Sequence, residues 1–205
     1  MKFTTPNIIS MVRVVIAPIF LVLMIRGNPE EIKIAAWLFI IGALSDYFDG
    51  WLARRYNEVT SLGKFLDPLA DKVLTVSAFG AFYMIDIIPL WMLIIIALRD
   101  IASTLLRVLA DNINRPVITS GPAKAKTFLQ MTFIIYILIL LYIYNSGLIA
   151  QDLRLVHNLI YSELTFYLAM IITSFTMWTL LDYFINNKVI FKHYLGIGNR
   201  INNHN

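Results

Sequence analysis

Apolar residues run along this chain in long blocks, broken at intervals by glycine, proline, asparagine and charge. The stretches 127–144 and 87–98 hold no charged residue at all, and no surface helix would present such runs to water. A helix needs about 20 largely apolar residues to cross the hydrocarbon layer. Six segments meet that need: 8–25, 32–55, 63–84, 89–111, 123–144 and 163–186. Gly27-Asn28-Pro29, the stretch 57–61, Pro89, the stretch 112–122 and the stretch 145–157 separate them. The pattern predicts an all-α fold, an integral membrane bundle of six transmembrane helices forming one domain over 1–205.

Composition sharpens the picture by exclusion. Of 205 residues, 59% are hydrophobic and 15% charged, against about 25% charged in a typical soluble domain. A soluble globule, a disordered chain and a disulfide-stapled secreted domain are all poor fits. With no cysteine, thiol nucleophiles and cysteine-held metals are excluded. The apolar segment that follows Met1 carries Arg13 and closes on no small-residue cleavage pattern, so it reads as a first span rather than a signal peptide.

The net charge of +4 follows the loops instead of forming a basic tail, and nucleic acid is not an expected partner. Arg54, Arg55 and Lys64 flank the second connection; Arg115, Lys124 and Lys126 flank the fourth. Lys2 lies at one end, with Lys188, Lys192 and Arg200 at the other. The positive-inside bias therefore places both termini and these two connections in the cytoplasm. The expected location is the inner (cytoplasmic) membrane, multi-pass, with membrane lipids as surroundings.

Four carboxylates interrupt two adjacent spans: Asp46 and Asp49 in the second, Asp67 and Asp71 in the third. Each costs at least ~2.5 kcal/mol on insertion scales, so such groups face a cavity or a partner. The i,i+3 and i,i+4 spacings put each pair on one helix face. An antiparallel hairpin turning near 57–61 brings Asp49 to the depth of Asp67, and Asp46 to that of Asp71. With no histidine or cysteine nearby, this all-oxygen cage suits a hard cation, Mg²⁺ or Mn²⁺. Two ions would offset four negative charges and suit phosphoryl chemistry.

At these residues the sequence resembles a known family. Asp46, Asp49, Gly50, Ala53, Arg54, Gly63, Asp67 and Asp71, at their spacing, look like the complete signature of the CDP-alcohol phosphatidyltransferases. The resemblance implies transfer of a phosphatidyl group from a CDP-linked lipid to an alcohol, with release of CMP. It also implies a divalent pair held by Asp46, Asp49, Asp67 and Asp71, with Asp71 as the general base, and a homodimer. Gly50 and Ala53 would let the nucleotide approach the helix, and Arg54 offers a planar fork for its phosphate. Gly63 would give room to the nucleotide or make the turn. Asn7 and Arg13 resemble the family's opening residues, on the CDP-lipid side, although Asn7 serves equally as a helix cap.

Further residues bear on the acceptor. Asp100 and Arg107, seven apart, share a face of the fourth span. Arg99, Arg107, Lys124 and Lys126 are assigned to an acceptor's phosphate. Two plainer readings stay open: Arg99 and Asp100 pairing within the bundle, and lysines that only set topology. The run is similar to the family's glycerol-phosphate-accepting branch, with Ala123 where that branch usually has glycine. The implied substrates are CDP-diacylglycerol and sn-glycerol 3-phosphate, at a site facing the cytoplasm. Inositol phosphate and serine are competing acceptors. From another class, a divalent-cation channel or transporter would explain the acids, but not the small residues and Arg54 beside them.

Overall fold

The computed structural model describes residues 5–56, 61–112, 121–147 and 153–188. Of these, residues 5–9, 46–56, 61–69, 71, 111–112 and 123 are described in backbone only. Seven helices are seen among the described residues: α1 (Thr5–Arg26), α2 (Pro29–Tyr56), α3 (Ser61–Met84), α4 (Leu90–Asn112), α5 (Gly121–Ser146), α6 (Leu153–Ile160) and α7 (Glu163–Asn186). There is no strand among them. The fold is all-helical.

Local chemistry sets the breaks. Gly27 at φ 71° and Gly147 at φ 67° follow the last residues of α1 and α5, where a left-handed conformation stops a helix at low steric cost. The Asn28 side chain accepts from the Glu30 N–H at 3.2 Å, and Pro29 supplies a first helical residue with no N–H to satisfy. Ser162 caps α7 by accepting from the Thr165 N–H at 3.2 Å.

α2, α5, α7, α4 and α3 touch in that order around a ring, and α1 lies against both α2 and α3. Phe20 and Phe39 join α1 to α2, with ring centroids 5.5 Å apart. Phe79 of α3 stacks on Phe133 of α5 at 6.1 Å with planes 7° apart, and Phe82 meets the same ring edge-on. Ala17, Ala35, Ala78 and Ala81, all fully buried, let the helix backbones come close. In lipid such packing carries the cohesion that hydrophobic burial supplies in water.

Large apolar side chains also face outward, and several polar ones are buried. Trp37, Leu44, Ile101, Phe128, Ile171 and Ile185 are exposed by half or more, whereas Arg13, Arg99, Asp100, Lys126, Gln130 and four threonines of α7 are buried. Two helical stretches, Lys124–Ser146 and Leu153–Asn186 with its turn at 161–162, are long and apolar enough to cross a membrane. This is the surface of a membrane protein.

One expectation changes. The stretch 145–157 reads in sequence as a connection, but α5 continues to Ser146 and α6 occupies Leu153–Ile160. α6 buries Val156 and Ile160 and leaves Leu155 and Leu159 exposed. An eight-residue helix contributes too few periodic positions to stand out in a sequence.

Candidate active site

The acid-bearing helices meet at a small residue. A Cβ built on Gly42 of α2 would lie 3.1 Å from Cδ2 of Leu74 on α3, so the helices are in close contact there. Seven residues on from Gly42 toward the 57–60 connection is Asp49; seven residues back from Leu74 is Asp67. Asp46 follows Gly42 by four, and Asp71 precedes Leu74 by three. Steps of three, four and seven return to the same side of a helix. All four acid positions thus fall on the side of the α2–α3 contact, in the antiparallel register that pairs their depths.

Side-chain placement for this group lies outside the described residues. Asp46, Asp49, Gly50, Ala53 and Arg54 belong to α2, Gly63, Asp67 and Asp71 to α3, and Asn7 to α1, each described in backbone only. Lys2, Arg115, Lys192 and Arg200, used above for topology, fall outside the described residues entirely. The donor chemistry nonetheless fits a hard divalent cation: four carboxylates, with no softer ligand among them.

Arg13 is described in full. It is completely buried in α1, and its Nε donates to Ser45 Oγ at 3.4 Å. Ser45 directly precedes Asp46 and in turn donates to the Gly42 carbonyl at 2.7 Å. A guanidinium is therefore held one residue from the acid pair.

A second charged centre lies where α3, α4 and α5 converge. Asp100 is buried, and its Oδ1 receives Lys126 Nζ of α5 at 2.5 Å and Arg99 Nη1 at 3.3 Å; Lys72 Nζ of α3 lies 3.7 Å away. Ser103 and Thr104 hydroxyls donate to the Asp100 carbonyl at 2.9 and 3.0 Å, fixing the backbone beneath it. Lys72 and Asp100 also line a groove of about 480 Å³ between α3 and α4, walled by Val76, Leu105 and Val108.

Among the residues assigned to an acceptor phosphate, the structure brings Arg99 and Lys126 together and leaves Arg107 and Lys124 exposed. Helix geometry explains the split of the lysines, since residues two apart point about 200° away from each other. The plainer sequence reading, Asp100 paired within the bundle, is what the structure shows, but sequence reasoning missed Lys72 among its partners. The Asp71-Lys72 adjacency was a signal, but the contact with α4 is tertiary.

Comparison with known proteins places the chain in a family. A CDP-diacylglycerol–glycerol-3-phosphate 3-phosphatidyltransferase of Bacillus subtilis is 32% identical over 204 residues, covering 90% of this chain and 95% of the relative. Its namesake from Rickettsia typhi is 36% identical over 135 residues, covering 66% and 75%. A cardiolipin synthase (CMP-forming) of Streptomyces coelicolor is 39% identical over 100 residues, covering 47% and 46%. The family model for CDP-alcohol phosphatidyltransferases matches residues 3–178, which takes in both the acid-bearing hairpin and the cationic centre. The chain belongs to the CDP-alcohol phosphatidyltransferase family, and it is an enzyme.

Proposed function

We propose that this enzyme transfers the phosphatidyl group of CDP-diacylglycerol to sn-glycerol 3-phosphate, giving phosphatidylglycerophosphate and CMP. The observation that carries the reading is the α2–α3 register at Gly42 and Leu74, which suits the four acid positions to a shared cation site. The printed names of the Bacillus and Rickettsia relatives support the acceptor.

Asp46, Asp49, Asp67 and Asp71 would hold Mg²⁺ or Mn²⁺, two ions balancing four charges. Bound there, divalent cations supply neutralisation of the charge that develops on the phosphoryl oxygens. Asp71 takes the proton from the glycerol-phosphate hydroxyl. That oxygen attacks the lipid-linked phosphorus, and the bond from this phosphorus to the CMP oxygen breaks. Arg54 pairs with the phosphate of the departing CMP, while Gly50, Ala53 and Gly63 leave room for the nucleotide. Asn7 and Arg13 orient the CDP-lipid. Arg99 and Lys126 grip the acceptor phosphate, and the exposed Arg107 and Lys124 attract it from the aqueous side.

The setting is a six-span homodimer in the cytoplasmic membrane, with both termini and the site on the cytoplasmic side. The purified protein with CDP-diacylglycerol, Mg²⁺ and sn-glycerol 3-phosphate is expected to release CMP and form a lipid of the mass of phosphatidylglycerophosphate. Cation flux through vesicles without any CMP release would overturn the reading.

A further inference from the structure

We infer that Asp100 is a positioning residue for the acceptor, gathering Lys72, Arg99 and Lys126 from three helices into one anion-binding point. The inference rests on the proposed use of a phosphate-bearing acceptor, and adds two residues, Asp100 and Lys72, to which that reading gives no role.

Charge balance is the first ground. Among the described side chains, three cations surround one carboxylate, and Arg99, Asp100 and Lys126 are each at least nine-tenths buried. A buried excess of positive charge is costly unless another anion arrives. The way the carboxylate is used is the second ground. An ionised carboxylate has two acceptor oxygens with about four lone-pair sites, so full pairing would occupy both. Here the cations gather on Oδ1, while Oδ2 is buried with no hydrogen-bond partner. Arg99 Nε is likewise buried and unpartnered, an orphaned donor within the same cluster. Asp100 therefore aims the cations without saturating them.

Position completes the argument. Lys72 follows Asp71 directly in α3, so the same residue that reaches Asp100 is joined in sequence to the proposed base. Asp100 would thereby tie the depth of the acceptor's phosphate to that of the group deprotonating its hydroxyl. Removing the carboxylate leaves three mutually repelling cations, which separate and lose their common focus.

The test is steady-state kinetics of the purified full-length enzyme in detergent–CDP-diacylglycerol mixed micelles, varying each substrate in turn. Asp100→Asn is expected to raise KM for sn-glycerol 3-phosphate about tenfold, leaving kcat within about threefold and KM for CDP-diacylglycerol unchanged. Asp100→Glu, which keeps the charge, is expected to recover most of the acceptor affinity. A merely structural role would lower kcat through loss of active protein and leave the acceptor KM alone; that result overturns the inference. Should Asp100→Asn fail to elute as a folded species, Lys72→Gln carries the test. A rise in acceptor KM of about threefold or more supports the inference, and an unchanged KM overturns it. Failure of the wild-type enzyme to use sn-glycerol 3-phosphate would instead sink the proposed function, so the two failures are told apart in one experiment.

Discussion

Lys126 of α5 donates a 2.5 Å hydrogen bond to the carboxylate of Asp100 on α4, and both side chains are buried. This bond ties together two helices that both lie against α3 and α7, while α5 also lies against α2 and α6. Breaking a buried pair by removing one partner typically costs ~3–5 kcal/mol. Because Lys72 and Arg99 stay beside Asp100, Lys126→Met is expected to cost less, about 2 kcal/mol. Thermal unfolding in detergent checks this; an unchanged midpoint would mean that the pair contributes nothing to stability.

Gly42 governs how closely α2 approaches α3. Gly42→Ala places a methyl 3.1 Å from Leu74 Cδ2, which a small side-chain shift accommodates at a cost of about 1 kcal/mol. Gly42→Leu must push the helices apart and is expected to reduce turnover at least tenfold, like other misplacements of a catalytic array. Leu74→Ala in the Gly42→Leu background should recover part of the activity, and CMP release reads all three variants. Wild-type turnover in Gly42→Leu would show that the spacing of the two helices is not critical.

Asp71→Asn removes the proposed base and one cation ligand at once. Turnover is expected to fall by about 10³-fold or more, as for loss of a general base combined with weakened charge stabilisation. Chelation of divalent cations should abolish CMP release in the wild-type protein, and added Mg²⁺ or Mn²⁺ should restore it. Activity that survives chelation would remove the cations from the account.

Ser162 offers a control far from the chemistry. Its hydroxyl caps α7, and Ser162→Ala is expected to lose about 1 kcal/mol of stability with kinetic constants unchanged. A matching loss of turnover would instead show that the α6–α7 turn communicates with the site.

Much of this molecule is legible in one dimension, for physical reasons that individual residues illustrate. Gly27, Asn28 and Pro29 act locally, so the break between α1 and α2 shows in the sequence as it does in the structure. The acid spacings are likewise local to a helix, and the register at Gly42 and Leu74 has the alignment that hairpin counting anticipates. α6 escapes because Val156 and Ile160 acquire meaning only against the neighbouring helices. The cationic centre escapes for a related reason. Lys72, Asp100 and Lys126 are far apart in the chain, and nothing short of tertiary packing says that they meet. Lys124 shows the converse: it is close to Lys126 in sequence, yet the helical turn leaves it exposed where Lys126 is buried.

Acceptor-dependent release of CMP decides whether this enzyme makes phosphatidylglycerophosphate. Purified enzyme, CDP-diacylglycerol and Mg²⁺ are incubated with sn-glycerol 3-phosphate, inositol phosphate, serine or phosphatidylglycerol, and each lipid product is weighed by mass spectrometry. Stoichiometric CMP and phosphatidylglycerophosphate are expected with sn-glycerol 3-phosphate, and little turnover with the others. Preferential formation of any other lipid, or no CMP with any acceptor, would contradict the proposed function.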